Sequence, residues 1–413
     1  MTPTDDGPPG TTSVRRPMRI VHLDHTSVVG GAEFALLRML RAHPNWSPVL
    51  LVAPATGRGL GIYDGVPPEI PLQVVGIRQP AGASTGRLRA ALSVGFRVAA
   101  QAVAVRCTRA FRHADLVDAN TARAAAYGAL AVRWPHKPFV VHLRDLVEPD
   151  ALGPAGHSLM VRLVLPRADG VIANSHATLA SALEHLRPGV PAEVIPSASG
   201  LRRGGTTGLP AGDGPVRTVG MLARIDPWKG QHVLLEAFAR VFGGRDVRLQ
   251  LAGEALFGHE DHLDQLQQRA AELGVADQVD FLGHVNEVDA LIAHWDVAVQ
   301  ASTRPEPLGQ NVLQYLAAGR AVIAVDEGGP AEWITDGVNG LLVPPRDPAT
   351  LAAALSRLDS DAALRSRLAA AAAATPGLLD DEAVTHAHEA FYERVLRFVA
   401  ERHGKVRNAT AGA

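Results

Sequence analysis

The sequence predicts an α/β protein made of two doubly wound, parallel-sheet domains. Three observations carry that expectation. Short apolar runs alternate with amphipathic helical stretches along the chain, the pattern of strands covered on both faces by helices. At 413 residues the chain exceeds what one hydrophobic core usually organises. Ser197 to Pro215, SASGLRRGGTTGLPAGDGP, is the richest Gly/Pro/Ser/Thr stretch inside the chain and separates two such series.

Composition narrows the class. A hydrophobic content of 47% with 20% charged residues describes a globular chain. A net charge of -2 argues against binding nucleic acid by bulk electrostatics. Cys107, the single cysteine, cannot form an internal disulfide or build a zinc site alone. That suits a reducing cytoplasm. No apolar run reaches the roughly 18 residues that a membrane helix needs. Residues 1–17, MTPTDDGPPGTTSVRRP, have no apolar stretch behind the arginines and read as a disordered leader, not a signal peptide.

The first domain is expected over residues 18–200. MRIVHLD opens it as a buried strand, and FALLRMLRAHP follows as an amphipathic helix. The turn between them puts Gly30 and Gly31 at the C-terminal edge of the strand, where open α/β sheets take ligands. Their spacing is not that of a dinucleotide fingerprint. Two readings stand side by side: a tight turn needing positive φ, or backbone brought close to a ligand. SPVLLVA, LQVVGI, DLVDA, KPFVVHL and GVIANS supply further strands. Arg87, Arg89, Arg97, Arg106, Arg109 and Arg112 share a segment with no acidic residue before Asp115. It reads either as a solvated helix face or as a basic helix in peripheral contact with an anionic membrane. HLRDLVEPD then leaves a strand with His142, Arg144 and Asp145 at the ligand edge. A structural Arg144–Asp145 ion pair competes there with an acceptor-binding role.

Residues 201–215 form the expected linker, and a second α/β series occupies 216–378. VRTVGML is a strand, ARIDPWKG a loop and QHVLLEAFARVF a helix. RLQLAG, QVDFLG, DVAVQAS, AVIAVD and GLLVPP give more strands, and the alanine-rich 349–374 segment is helical by propensity. A final helix is expected within 379–403, followed by a flexible tail at 404–413.

The chemistry concentrates in RPEPLGQNVLQYLAAG, Arg304 to Gly319. Val312, Leu313, Leu316 and Ala317 give it a helix with an apolar face, entered through Gly309. Glu306 stands just before that helix N-terminus, whose free N–H groups and dipole suit an anion such as phosphate. An ordinary helix entrance with an acidic residue nearby is the plainer reading. Arg224 and Lys229 flank the loop after the first strand of the second domain. Two cations at such an edge suit a diphosphate; either alone would read as a solvated surface charge. GGPAEWITDG, Gly328 to Gly337, is a glycine-rich turn into a short helix. No P-loop, nucleophile elbow or H-E-x-x-H motif occurs. Asp359 and Asp361 read as a solvated helix start, His259 and His262 as surface residues, and no metal site is expected.

Here the residues resemble a known family. GGAE at 30–33, IANS at 172–175, GMLARIDPWKG at 220–230, LAGE at 251–254, FLGHV at 281–285, EPLGQNVLQ at 306–314 and GGPAEWITDGVNGLLVPP follow one another as in family 4 glycosyltransferases of the GT-B fold. The resemblance spans about Arg19 to Glu401. It implies two Rossmann-like domains facing across a cleft, with the last helix crossing back to the first. It implies metal-independent, retaining transfer of a sugar from a nucleoside diphosphate, UDP being the expected base, to an alcohol acceptor: a natural product or a lipid-linked or cell-envelope glycan. The nucleotide-sugar is a substrate, so no cofactor is expected.

By position, the resemblance implies that Arg224 and Lys229 hold the diphosphate and Glu306 a sugar hydroxyl. Pro307, Leu308, Gly309, Gln310 and Asn311 would line the sugar and phosphate, with Gln314 at the ribose. Gly283, His284 and Val285 would border the base, and Gly30 and Gly31 would approach the donor from the other domain. His142 or Arg144 would stand near the reacting centre, with Asp145 and Asn174 on the acceptor side. Two departures matter. The family usually has E-x7-E, whereas this chain has Gln314, whose amide accepts at one end and donates at the other. Arg144 occupies a position where many relatives carry histidine. Gln314 keeps a second reading in view, a non-catalytic nucleotide-binding scaffold, and the fold also serves phosphorylases and epimerases.

Overall fold

The computed structural model describes residues 16–411 apart from 29, 55–58, 79–87, 134–135, 202–213 and 256–257; side chains are further left undescribed at 88–93 and 404–411. Most of the expected leader, most of the linker and Arg87 therefore lie outside the described residues, as does the Arg89 side chain.

Strands β1 (Arg19–Asp24), β2 (Ser47–Val52), β3 (Leu72–Val74), β4 (Leu116–Ala119), β5 (Phe139–Leu143), β6 (Gly170–Ala173) and β7 (Ala192–Val194) form one sheet in the order β3-β2-β1-β4-β5-β6-β7. Strands β8 (Thr218–Leu222), β9 (Arg248–Ala252), β10 (Val279–Gly283), β11 (Val297–Val299), β12 (Ala321–Val325) and β13 (Leu341–Val343) form a second, in the order β10-β9-β8-β11-β12-β13. All their pairings are parallel. Both sheets start in the middle and reverse direction once, so each is doubly wound with one switch point. The chain has the GT-B architecture of two such domains. The apolar runs become strands because helices cover both faces; β12, for instance, is buried throughout. β7 was not foreseen: three half-exposed residues are too short to carry a pattern.

The first sheet is clad by α1 (Gly31–Arg41), α2 (Leu88–Cys107), α3 (Arg109–His113), α4 (Ala122–Ala131), α5 (Pro149–Leu159) and α6 (His176–Ala180). The second is clad by α7 (Gln231–Phe242), α8 (Glu260–Glu272), α9 (Val288–Ala293), α10 (Gln310–Ala317), α11 (Pro348–Ser360) and α12 (Ala362–Ala373). The single helix expected over 349–374 is thus two. Asp361 breaks it with φ -120° and ψ 83°, and its carboxylate caps α12 by accepting from Leu364 N at 2.8 Å. Asp359 accepts from Val216 N at 3.2 Å and from Arg245 at 2.8 Å. The D-x-D pair is a helix junction.

α13 (Asp381–Ala411) ends the chain and runs on through most of the 404–413 segment expected as a flexible tail. Its Val384, Phe391, Tyr392 and Val395 enter the first domain's core with Ile20, Leu36 and Trp46. A buried polar column anchors it. Trp46 Nε1 donates to His22 Nε2 at 3.1 Å, which leaves the His22 proton on Nδ1, 2.8 Å from Asp118. His142 Nε2 lies 2.9 Å from the other Asp118 oxygen, and its ring stacks on His388 of α13 at 5.2 Å. His142, expected near the reacting centre, is therefore a buried residue only 2% exposed, packed against α13. Its position inside β5, under that helix, is the reason.

Burial, then repulsion from His142, pushes the His388 imidazole down to about 3, while its Nδ1 bonds Val384 O at 2.7 Å. The folded state thus refuses a proton that the unfolded chain accepts at its ordinary value of 6.5. Stability is full above that pH and is lost as the pH falls toward about 3, by at most ~1.4 kcal/mol per unit for each excess proton. Thermal unfolding at pH 7, 6 and 5 should show a shallower acid loss in His388→Gln than in the parent. Equal slopes would show that His388 does not couple α13 to pH.

Candidate active site

The switch points, between β1 and β4 and between β8 and β11, open at the C-terminal strand edges. In the second domain β8 ends at Leu222 and leads into Arg224–Lys229. Asp226 folds this loop by accepting from Trp228 N at 3.4 Å and from Arg224 Nη2 at 3.2 Å. The Trp228 ring carries two cations, Lys229 Nζ at 4.0 Å and the Arg304 guanidinium at 4.5 Å. Lys229 Nζ lies 2.9 Å from Glu306 Oε2, with the side chains 15% and 6% exposed. The other Glu306 oxygen accepts from Gln300 Nε2 at 3.0 Å and from Ser302 Oγ. Burial alone would raise this carboxyl, but the Lys229 ammonium and the donated hydrogen bonds hold it below its ordinary value.

The backbone around Glu306 is clamped too. Gly329 N donates to Glu306 O at 2.8 Å, and Gly328 pairs with Glu306 as a short bridge. Gly309 then takes φ 74° and starts α10, and no side chain caps that start. The Asn311 side chain turns inward, its Nδ2 donating to Leu222 O at 3.0 Å. Gln314 is 8% exposed, about one turn into the same wall's helix. Gly283 hydrogen-bonds through its carbonyl to Gly253 N at 2.8 Å, and the exposed His284 contacts Asn286 Oδ1 at 3.2 Å, with Val285 half-buried between them.

On the first domain's wall, Asp24 ends β1. Its carboxylate accepts from Tyr63 Oη at 2.5 Å, Asn120 Nδ2 at 2.8 Å and His25 N at 2.7 Å. Arg144 donates to Asn120 Oδ1 at 3.0 Å and to Ser197 Oγ at 3.1 Å, tying the edges of β4 and β5 to the start of the linker. The alternative Arg144–Asp145 ion pair does not form. Asp145 opens instead into the cleft, where enclosure raises its carboxyl against the pull of His25, Arg144 and, from the opposite domain, Arg224 and Arg304. Asn174 is buried and donates to Arg144 O at 3.3 Å, which ties it to this loop. Asp24, His25 and Glu33 bring potential metal-ligand atoms within 4.8 Å of one another. Asp24 already serves three donors, which makes the set a poor cage for a cation.

The walls touch beside the cleft. Glu332 accepts from the backbone N–H groups of His176 and Ala177 at 2.8 and 2.6 Å. Thr178 Oγ1 donates to Pro307 O at 3.1 Å, and Gln310 Nε2 to Ala198 O at 2.7 Å. Pro307 and Gln310 are thus occupied in joining the domains, while Leu308 is buried in the core.

Family models match both halves: the second domain fits glycosyl transferases group 1 over residues 213–375, and the first fits glycosyltransferase family 4 over residues 29–198. The chain is 30% identical over 324 residues to a D-inositol 3-phosphate glycosyltransferase of Mycobacterium marinum, covering 72% of this chain and 68% of that protein. The chain belongs to the family 4 glycosyltransferases. It is also 36% identical over 177 residues to a lipopolysaccharide core biosynthesis glycosyltransferase, LpsE, of Rhizobium meliloti, a match spanning 49% of that protein and 43% of this chain. Among solved structures, Anabaena HepE in complex with UDP superposes with a TM-score of 0.74 at 26% identity, covering 91% of this chain and all of that one. HepE with UDP-glucose gives 0.73 at the same identity, covering 93% of this chain and 100% of that one.

The sequence motifs of this glycosyltransferase brought Arg224, Lys229, Glu306 and the α10 start to one wall. They did not disclose Trp228 beneath the cations, or Gln300 and Ser302 beneath Glu306. Gln300 and Ser302 stand six and four residues ahead of Glu306, and only the return of the loop joins them to it. Gly309 and Gly31 offer a paired test of the wall. A Cβ at Gly309 would lie 2.7 Å from Pro330 Cγ in a left-handed backbone, whereas at Gly31 nothing lies within 4 Å. Gly309→Ala should cost about 2 kcal/mol or more in urea unfolding, and Gly31→Ala within about 0.5 kcal/mol. Equal effects would mean that α10 is not locked where it stands.

Proposed function

We propose that this glycosyltransferase is a metal-independent, retaining hexosyltransferase that uses a nucleoside-diphosphate sugar, with UDP as the base. The observation that carries the reading is the buried Lys229–Glu306 pair ahead of the uncapped α10 start, with Arg224 on the same loop as Lys229. The HepE complexes with UDP and UDP-glucose support the nucleotide. The diphosphate lies against Arg224, Lys229 and the first N–H groups of α10. Lys229 is shared between Glu306 and a phosphate oxygen, so the leaving charge is met by fixed cations with no need for a metal. Glu306 orients a sugar hydroxyl, and Gln314 holds the ribose by one accepted and one donated hydrogen bond.

In the reaction the bond from the sugar's anomeric carbon to the β-phosphate oxygen breaks. The acceptor hydroxyl attacks the same face, and its proton passes to the departing phosphate. Closure of the walls limits hydrolysis of the donor. The acceptor is an alcohol entering over Asp145. Relatives named for D-inositol 3-phosphate and for lipopolysaccharide core biosynthesis support that class. No helix among the described residues is long and apolar enough to cross a membrane. A cytoplasmic enzyme meeting a lipid-linked acceptor at the membrane surface is consistent with α2, which exposes Phe96 and Val103 on a helix without acidic residues.

The test supplies UDP-, GDP- and dTDP-glucose with soluble alcohols and with lipid-linked acceptors in vesicles, in the presence of a chelator. Transfer from the UDP sugar with the anomeric configuration retained by NMR is expected. Lys229→Ala should lower kcat/KM by about 10²–10³-fold. An inverted product, a metal requirement or an unimpaired Lys229→Ala would refute the mechanism. Binding without turnover would favour the scaffold that Gln314 keeps in view, and turnover dependent on inorganic phosphate a phosphorylase.

A further inference from the structure

Glu33 closes the GGAE stretch and has no part in the chemistry above. It lies in the first turn of α1, 5% exposed. Its carboxyl folds back across the helix entrance: a Cβ on Gly30 would sit 2.3 Å from Glu33 Oε2, while a Cβ on Gly31 would meet nothing within 4 Å. The two glycines therefore differ in role. Gly30 leaves room for the Glu33 carboxyl, and Gly31 leaves room for a ligand. Apart from its own backbone amide, the carboxyl has no hydrogen-bond partner among the described residues.

The groups facing it come from three elements: Asp24 and His25 at the end of β1, Tyr63 from the turn at 61–65, and Arg144 and Asp145 past β5. Asp24 already serves three donors. Burial and then Asp24 push the Glu33 carboxyl up to about 8, with Asp145 adding to the rise and its own amide and Arg144 opposing it. Burial and the neighbouring Asp24 thus favour the protonated form of Glu33, which has an O–H to donate. An ionised carboxylate at this wall would repel a phosphate-bearing ligand, whereas a neutral acid bonds an oxygen without that repulsion.

We propose that Glu33 binds the transferred sugar, donating its carboxylic O–H to a sugar oxygen of the donor held on the opposite wall. This rests on the nucleotide-sugar reading above. It makes Glu33 a contact of the sugar and not of the nucleotide, so the two halves of the donor report separately.

Titration calorimetry of the parent, Glu33→Gln and Glu33→Ala with UDP-glucose and with UDP, from pH 6.5 to 9.5, tests it; thermal unfolding confirms that each variant is folded. The parent's affinity for UDP-glucose should fall above pH 8, approaching tenfold per unit, while its affinity for UDP does not share the fall. Glu33→Gln, which keeps a neutral donor, should bind within about threefold of the parent at pH 7 and lose that limb. Glu33→Ala should bind UDP-glucose about five- to fiftyfold more weakly and UDP unchanged. UDP-glucose binding that ignores residue 33 at every pH overturns the proposal alone. A Glu33→Ala that weakens UDP equally also overturns it. A parent that binds neither ligand removes the nucleotide-sugar reading itself.

Discussion

The ammonium of Lys229 and the carboxylate of Glu306 meet at 2.9 Å, nearly out of water, at the edge where the second sheet reverses. Removing two charges from solvent costs several kcal/mol per ion, and apolar residues would often stabilise such a place as well or better. This pair is tolerable because Gln300 and Ser302 fill the remaining carboxylate sites and Trp228 faces the ammonium. What the pair provides is placement. It joins the loop after β8 to the loop before α10, and the Gly328–Gly329 turn fixes the second loop from behind. The Lys229 ammonium is consequently held against the loop that leads into α10.

The opposite wall is built on complementary lines. Asp24, Glu33 and Asp145 stand at its edge, with Arg144 engaged by Asn120 and Ser197 behind them. Asp145 senses Arg224 and Arg304 across the gap, so acid faces base over the cleft. Direct bonds from Glu332, Thr178 and Gln310 hold the two domains together to one side and leave this facing surface to a ligand. A donor entering there replaces water between the walls, which strengthens the hold of the second domain's cations on its phosphates.

Much of the fold was legible because parallel strands covered on both faces are continuous apolar runs. β7 escaped for want of length, and the alanine-rich run at 349–374 hid the break at Asp361, since propensity is blind to a single capping carboxylate. The site was legible as residue types at strand edges, less so as roles. His142 stands at the right edge in sequence, but it belongs to β5 and lies under α13, whereas Arg144 and Asp145 lie past the strand's end. Asn174 and Arg144 similarly serve the frame, a matter of which partner is nearest in space. The Lys229–Glu306 pair joins segments remote in sequence, and no spacing discloses it. Glu33 was visible as part of a motif, but its meaning depends on Asp24 beside it and Gly30 beneath it.

The most direct measurement is a structure of the protein bound to UDP. Phosphate oxygens should lie within about 3 Å of Lys229 Nζ and the Arg224 guanidinium, at the start of α10, with Glu306 still beside Lys229. UDP bound elsewhere, or phosphates remote from an undisturbed Lys229–Glu306 pair, would contradict the assignment of this cleft as the donor site.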